Sequence, residues 1–310
     1  MQKYVVVVLA LASFVFTQVD VSVGGIFQGG MTFQQVESDN QTTDFTLNRA
    51  RFLISGTVNQ NVKFFVQTEK GDMLDVKFIY DIPRFHSTAC MGRFLPNYTY
   101  HMPIHTGKLG LINYPMLTSQ TAPWRQVGIQ SKTTIGETIT INAGLFNGAN
   151  EPNNWNDTVD DGKDLLLHGK YSIDKLTSGT YYWKVNAIGS KSGDMDGHRV
   201  GVYGKYDHHA LQIVGEYLQG ETDSDKFSGY YAQGASKFWE DQMRALIRFD
   251  AWDPNTNVDN DDSSTVTLGL NYYQDGLNSM FYFDYIINTT HPNANDNIFQ
   301  IQYQILFSSK

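Results

Sequence analysis

The chain has 310 residues, 32 Asp+Glu against 23 Lys+Arg, a single cysteine, and 41 % hydrophobic and 14 % aromatic residues. That aromatic content excludes intrinsic disorder. The lone Cys90 excludes a disulfide scaffold or a cysteine-based zinc cluster, and the net charge of −9 argues against nucleic-acid binding. A mean hydropathy of −0.35 with one long apolar run excludes a helical membrane protein. It does not exclude a membrane β-barrel, whose apolar residues are diluted by alternation.

The one apolar run opens the chain. Lys3 and the α-amine precede Tyr4–Phe16, which is too short to span ~30 Å as a helix. Residues 1–17 therefore read as a secretory signal peptide, with a mature chain starting near Gln18. Ala10-Leu11-Ala12 is a second small-x-small position. The chain is expected to leave the cytoplasm.

From Gln18 onward the period is two. Val62, Phe64 and Val66 alternate with Lys63, Gln67 and Glu69, and Phe299, Ile301, Tyr303, Ile305 and Phe307 alternate with Gln300, Gln302 and Gln304. Sixteen such runs are predicted: 19–35, 45–58, 62–69, 73–81, 85–95, 125–133, 138–148, 164–174, 179–191, 197–206, 210–219, 227–239, 242–253, 263–273, 277–288 and 298–307. Every second connector is tight, as at Asn59-Gln60-Asn61 and Gln274-Asp275-Gly276. Most of the others are longer and polar: 36–44, 96–124, 149–163, 220–226, 254–262 and 289–297. Short turns at one end and long loops at the other predict a 16-stranded antiparallel transmembrane β-barrel over 18–310, with its apolar parity toward lipid. Tyr80, Phe94, Tyr171, Tyr206, Phe238, Tyr272, Tyr285 and Phe307 fall near strand ends, where interfacial girdles sit.

Four segments carry a family resemblance: Leu47–Phe52 (LNRARF), Gly92–Pro96 (GRFLP), Phe249–Asn255 (FDAWDPN) and Gly269–Tyr273 (GLNYY). In this order they resemble the phosphate-selective porin O and P family of bacterial outer-membrane porins. The resemblance implies a trimeric, sixteen-stranded, anion-selective barrel with a basic lumen. Phosphate-specific members have a Glu-rich third-loop segment and richer arginine ladders; 97–125 contains no such segment.

Charge can be sorted by strand parity. The polar parity holds Arg49, Arg51, Lys63, Lys77, Arg93, Lys132, Lys170, Lys184, Arg199, Lys205, Lys237, Arg244 and Arg248, against Glu69, Asp75, Asp81, Asp164, Asp207, Glu216, Asp250 and Asp284. The wall is thus basic in an acidic protein, because the remaining acids gather in the long loops. Rings of Arg or Lys favour anions, and low-dielectric walls focus their field. Mutual neutralisation is the competing outcome, for example Arg93 with Asp75 or Asp81, and Arg244 or Arg248 with Asp250.

Loop three, 96–124, is the longest connector and unusually apolar, with Leu109, Leu111, Ile112, Met116 and Leu117. It is expected to fold into the barrel and narrow it, with Tyr98, Tyr100, His101, His105 and Lys108 facing the constriction. Partial protonation of His101 and His105 near pH 6.5 would add positive charge. Covering the barrel mouth, or forming a trimer contact, is the alternative role.

Other signals are weaker. Asp253-x-Asn255-x-Asn257-x-Asp259 has calcium-loop spacing, but Val258 and Ser264 stand where an EF-hand loop needs Gly and Glu. His86 beside Ser87 is the one outward Ser–His candidate for a hydrolase, and adjacent strand residues point to opposite faces. No reaction, metal or cofactor is expected. The reading is an outer-membrane porin, a homotrimer in outer-membrane lipid, passing small anions and other hydrophilic solutes. The alternative is a plugged structural or adhesin-type barrel whose external loops bind partners.

Overall fold

The computed structural model describes residues 20–36, 40–148, 162–188, 197–223, 225–289 and 297–309. The expected signal peptide lies outside them. The strands are β1 (Asp20–Val36), β2 (Asn40–Thr57), β3 (Val62–Glu69), β4 (Asp72–Ile82), β5 (Ser87–Phe94), β6 (Gln126–Ile135), β7 (Ile139–Phe146) and β8 (Lys163–Ile173). They continue with β9 (Leu176–Ile188), β10 (Gly197–His208), β11 (Leu211–Thr222), β12 (Asp225–Phe238), β13 (Met243–Asp253), β14 (Ser263–Asp275), β15 (Ser279–Asn288) and β16 (Asn297–Ser308). Each pairs antiparallel with its chain neighbours, and β1 pairs with β16 to close the barrel. All sixteen expected runs are strands.

The connectors sort as expected into a turn end and a loop end. Turns at the turn end use left-handed backbone, as at Asp174 (φ 47°) and Gly276 (φ 52°). Two loop-end connectors are shorter than expected. β2 begins at Asn40 rather than near Phe45, and β11 and β12 reach Thr222 and Asp225. The added residues are polar, so they show no apolar alternation. Their ladder bonds need none, because the hairpins extend beyond the apolar band.

The packing is inside out. Phe45, Phe78, Met91, Ile129, Ile247 and Leu268 are exposed on the outer face, whereas Trp183, Tyr98, Tyr181, Phe146, Met102 and Leu117 are fully buried within. Of the expected girdle residues, Tyr80, Tyr171, Phe238, Tyr285 and Phe307 are exposed. Phe94 is not one of them: it is 2 % exposed and packs inward on Phe146 at 5.7 Å. The closing seam has its own aromatic cluster, Phe27 lying 5.4 Å from Phe52 and 6.0 Å from Phe307. Val23 N–H donates to Ser309 Oγ at 2.9 Å, tying β16 to the start of β1.

Bare glycines seat aromatic rings on neighbouring strands. A Cβ at Gly201 would overlap the Tyr181 ring, and one at Gly25 the Phe307 ring. Overpacking of this kind costs ~1–3 kcal/mol. Gly201→Leu should therefore lower the temperature at which folded, fast-migrating barrel converts to the unfolded band on SDS gels. An unchanged conversion temperature would show that Tyr181 can swing aside.

Candidate functional site

Loop three lies inside the barrel, and its contacts can be followed residue by residue. Asn97 N–H donates to Gln130 Oε1 at 3.0 Å and its side-chain amide to Asn142 Oδ1 at 2.8 Å. Tyr98 then packs edge-on against Tyr181 at 4.8 Å and Trp183 at 5.9 Å. The loop crosses the lumen to β1, β2 and β16. There Arg51 Nη1 donates to Thr106 Oγ1 at 3.3 Å and Gln304 Nε2 to Gly107 O at 3.1 Å. It returns past β14, β15 and β13 to a short helix, α1 (Met116–Thr121), and ends at Trp124 and Arg125.

The wall holds the loop by its backbone. Glu216 Oε1 accepts from Tyr100 N–H at 2.9 Å, Asp284 Oδ2 from Ile112 N–H at 2.7 Å, and Asp250 Oδ1 from Met116 N–H at 2.9 Å. Loop carbonyls are met by wall donors. Arg248 reaches Asn113 O and Tyr114 O at 3.0 and 3.3 Å, Arg199 reaches Thr121 O at 2.9 Å, and Asn271 reaches Gly110 O at 2.8 Å. Charge-assisted bonds to buried amides contribute ~1.5–3 kcal/mol each.

The expected constriction residues divide. Tyr98 is fully buried under the loop, and burial pushes its hydroxyl up to about 12. His101 is buried with Nδ1 2.8 Å from Tyr231 Oη. Tyr100 is partly covered, its ring 5.4 Å from that of Tyr203. His105 caps a 3-10 turn, its Nδ1 accepting from Gly107 N–H at 3.2 Å. Lys108 is exposed toward the turn end, beside Ser22 and Asn278. The expected protonation of the two histidines does not follow. Burial, with the field of Arg248, lowers His101 to about 3. Burial, then Arg51, Lys108 and Arg49, also lowers His105.

Most of the expected wall cations share the inward parity: Arg49, Arg51, Lys63, Lys77, Lys132, Lys170, Arg199, Lys205, Lys237, Arg244 and Arg248. Two do not. Arg93 stands opposite Val76, in phase with Met91 and Phe78, which are exposed on the outer face. Its Nη1 donates to the carbonyls of Met73 and Leu74 at 2.9 and 2.5 Å. Lys184 stands opposite Leu165 and His198, one residue out of phase with inward Trp183. Loop three returns two cations to the lumen, Lys108 and Arg125, and the second was not expected. Arg125 sits just before β6; it opens the expected run 125–133 but shares the apolar parity of Val127 and Ile129, so sorting by parity passes over it.

Several inward cations are neutralised: Arg51 by Glu69 at 3.0 Å, Lys63 by Asp81 at 2.6 Å, Arg125 by Asp75 at 3.2 Å, Lys205 by Asp207 at 2.5 Å and Arg248 by Asp250 at 2.6 Å. The expected pairing of Arg248 with Asp250 is present; Asp75 and Asp81 are taken by Arg125 and Lys63 rather than Arg93. Others meet no carboxylate among the described residues. Arg49 donates to Gln28 Oε1 at 2.8 Å and Arg244 to Gln212 Oε1 at 2.7 Å, while Lys77 lies 5.0 Å from the Phe65 ring centre. By contrast Glu216 and Asp284, 4 % and 1 % exposed, are directed at loop amides rather than at open lumen. Tyr114, 5.5 Å from Trp124, lies within electrostatic reach of Arg49, Arg51 and Arg125. Burial raises its hydroxyl pKa, and the fields of these three arginines act against that rise.

The calcium-like spacing is turn chemistry: Asp253 Oδ1 accepts from Asn255 N–H and Asn255 Oδ1 from Asn257 N–H, both at 3.1 Å. Among the described residues no three His, Cys, Asp or Glu side chains converge as metal ligands. His86 lies in a turn-end connector at φ 47°, and Ser87 Oγ bonds Phe85 O at 2.9 Å and lies 2.8 Å from Thr133 Oγ1.

Two predictions follow from the loop's attachment. Asp284→Ala should speed deuterium exchange at the Ile112 amide by about 10–100-fold, the equivalent of the lost bond, as read on a peptide covering 109–117. The His101 ring should show no NMR titration above about pH 4. Since the unfolded chain takes up that proton near pH 6.5, acidification between pH 6.5 and 3 should destabilise the barrel through this group.

No protein-family model and no curated protein matches this chain. Solved structures do. The outer membrane channel DcaP of Acinetobacter baumannii superposes with a TM-score of 0.70 at 11 % identity, over 93 % of this chain and 97 % of that one. The anion-selective porin from Comamonas acidovorans gives 0.67 at 11 %, over 94 % and 100 %. The trimer form of OmpT, an outer membrane protein of Vibrio cholerae, gives 0.61 at 14 %, over 93 % and 99 %. At these identities the likeness is one of fold: the chain is a sixteen-stranded barrel of the porin type.

Proposed function

We propose that this protein is an outer-membrane porin, a homotrimeric diffusion channel for small hydrophilic solutes with a mild preference for anions, phosphate among them. The observation that carries the preference is the unequal use of inward charge. Glu216, Asp250 and Asp284 accept from loop-three amides, whereas Arg49, Arg244 and Lys77 meet no carboxylate among the described residues. A mobile ion in the lumen therefore meets more uncompensated positive than negative charge, and the low-dielectric wall focuses it. The trimer rests on the resemblance to phosphate-selective porins and on the trimer form of the OmpT neighbour.

Residues 1–17 act as the export signal in this reading. The loop end faces outward and the turn end faces the periplasm, as in barrels of this layout.

Planar-bilayer recording in a KCl gradient tests the reading. Conductance steps in multiples of three with an anion-favouring reversal potential are expected. Arg49→Glu should move that potential toward cations, and Arg93→Glu should move it less, since Arg93 stands on the outer parity with its guanidinium on the Met73 and Leu74 carbonyls. Folded, heat-modifiable protein that gives no conductance would instead favour a plugged barrel, to which the buried Tyr98, Met102 and Leu117 already contribute.

A further inference from the structure

Loop three carries no Asp or Glu from Pro96 to Trp124. Its side of the narrowing therefore opposes the wall arginines with no carboxylate. The groups that stand there are aromatic: Tyr114 and Trp124, whose ring centres are 5.5 Å apart and inclined at 72°. Both are partly open, and the Tyr114 hydroxyl is not among the enclosed polar atoms left without a partner. Arg49, Arg51 and Arg125 lie within electrostatic reach of Tyr114.

The three arginines are not equivalent. Arg51 spends Nε and Nη2 on Glu69 and Nη1 on Thr106. Arg125 spends Nε and Nη2 on Asp75. Arg49 gives only Nη1 to a neutral acceptor, Gln28. A guanidinium has five N–H donors in a planar fork. Arg49 thus keeps donors and meets no carboxylate among the described residues, whereas Arg51 and Arg125 are each already paired with one. The passage has a charged, fork-shaped donor on one side and two aromatic rings on the other.

We propose that this narrowing is a subsite for aromatic carboxylates. The carboxylate is taken by Arg49, and the ring lies against Tyr114 and Trp124. The inference rests on the channel reading above and adds a solute class to it. A small inorganic anion uses only the arginine side. A flat aromatic anion uses both sides, gaining ~0.5–1.5 kcal/mol from ring contact beyond its area, which corresponds to roughly 2–10-fold in residence.

The test is single-channel recording in KCl with added benzoate, and cyclohexanecarboxylate as the saturated comparator of similar size and equal charge. Benzoate should interrupt the current at several-fold lower concentration than the comparator. Tyr114→Leu should abolish the difference while leaving the KCl reversal potential anion-favouring, and Arg49→Gln should weaken block by both. Equal block by the two acids in the unaltered protein would overturn the aromatic subsite and keep the porin. A difference that survives in both Tyr114→Leu and Trp124→Leu would overturn it as well, by placing ring recognition elsewhere. Absence of any KCl conductance is a different failure, that of the channel reading itself.

Discussion

The inward architecture depends on where the backbone amides of loop three find acceptors. The loop crosses a space that would otherwise hold water, and a covered N–H without a partner costs about as much as a lost hydrogen bond. With no acid of its own, the loop must borrow from the wall. Glu216, Asp284 and Asp250 supply the acceptors at Tyr100, Ile112 and Met116. Arg248, Arg199 and Asn271 meet its carbonyls. One set of contacts therefore fixes the loop path and decides which wall charges remain for a solute. A free wall carboxylate is open to a solute; Glu216, Asp284 and Asp250, bound to loop amides, are buried away from it.

The same loop divides the lumen into two environments. Between β8 and β12 it lies on Tyr181, Trp183, Tyr231 and Leu218, and the barrel interior there is a dry hydrophobic core. Against β2 and β6 it leaves Arg49, Arg125, Tyr114 and Trp124 partly open. A protein whose outer surface must be apolar thus also has an apolar half inside, and only the remaining wall is polar in the ordinary sense of a channel.

That division explains what was legible in the sequence. Strand existence and the sorting of connectors follow from the period of two and from turn residues, and neither depends on what fills the barrel. Assigning a side chain to the lumen by its polarity does depend on it. In β9, inward Tyr181 and Trp183 pack under the loop, so the apolar parity points in and Lys184 falls on the outer parity. In β5, inward Cys90 and Phe94 join the same core and Arg93 falls outside it. Where the loop leaves the wall to water, as at Arg49, Lys63, Lys132 and Lys170, polarity and facing agree. Arg125 is illegible for another reason: it stands on the apolar parity of the run 125–133, with Val127 and Ile129, and turns into the lumen only because the strand starts one residue later. The protonation of His101 is not legible because a sequence does not show that the ring lies against Tyr231.

The pairing of β1 with β16 has a consequence for how the barrel is made. Every other strand pair joins elements adjacent along the chain, so the sheet can grow hairpin by hairpin at little loop-closure cost. The seam alone brings together residues as distant as Gly24 and Ser308. Until it forms, the sheet has two unpaired edges, each able to recruit a strand from another molecule. The Phe27–Phe307 contact and the Ser309 bond to Val23 thus act at the step that separates a closed monomer from an edge-to-edge aggregate. Variation there should be felt in assembly yield before it is felt in the finished barrel.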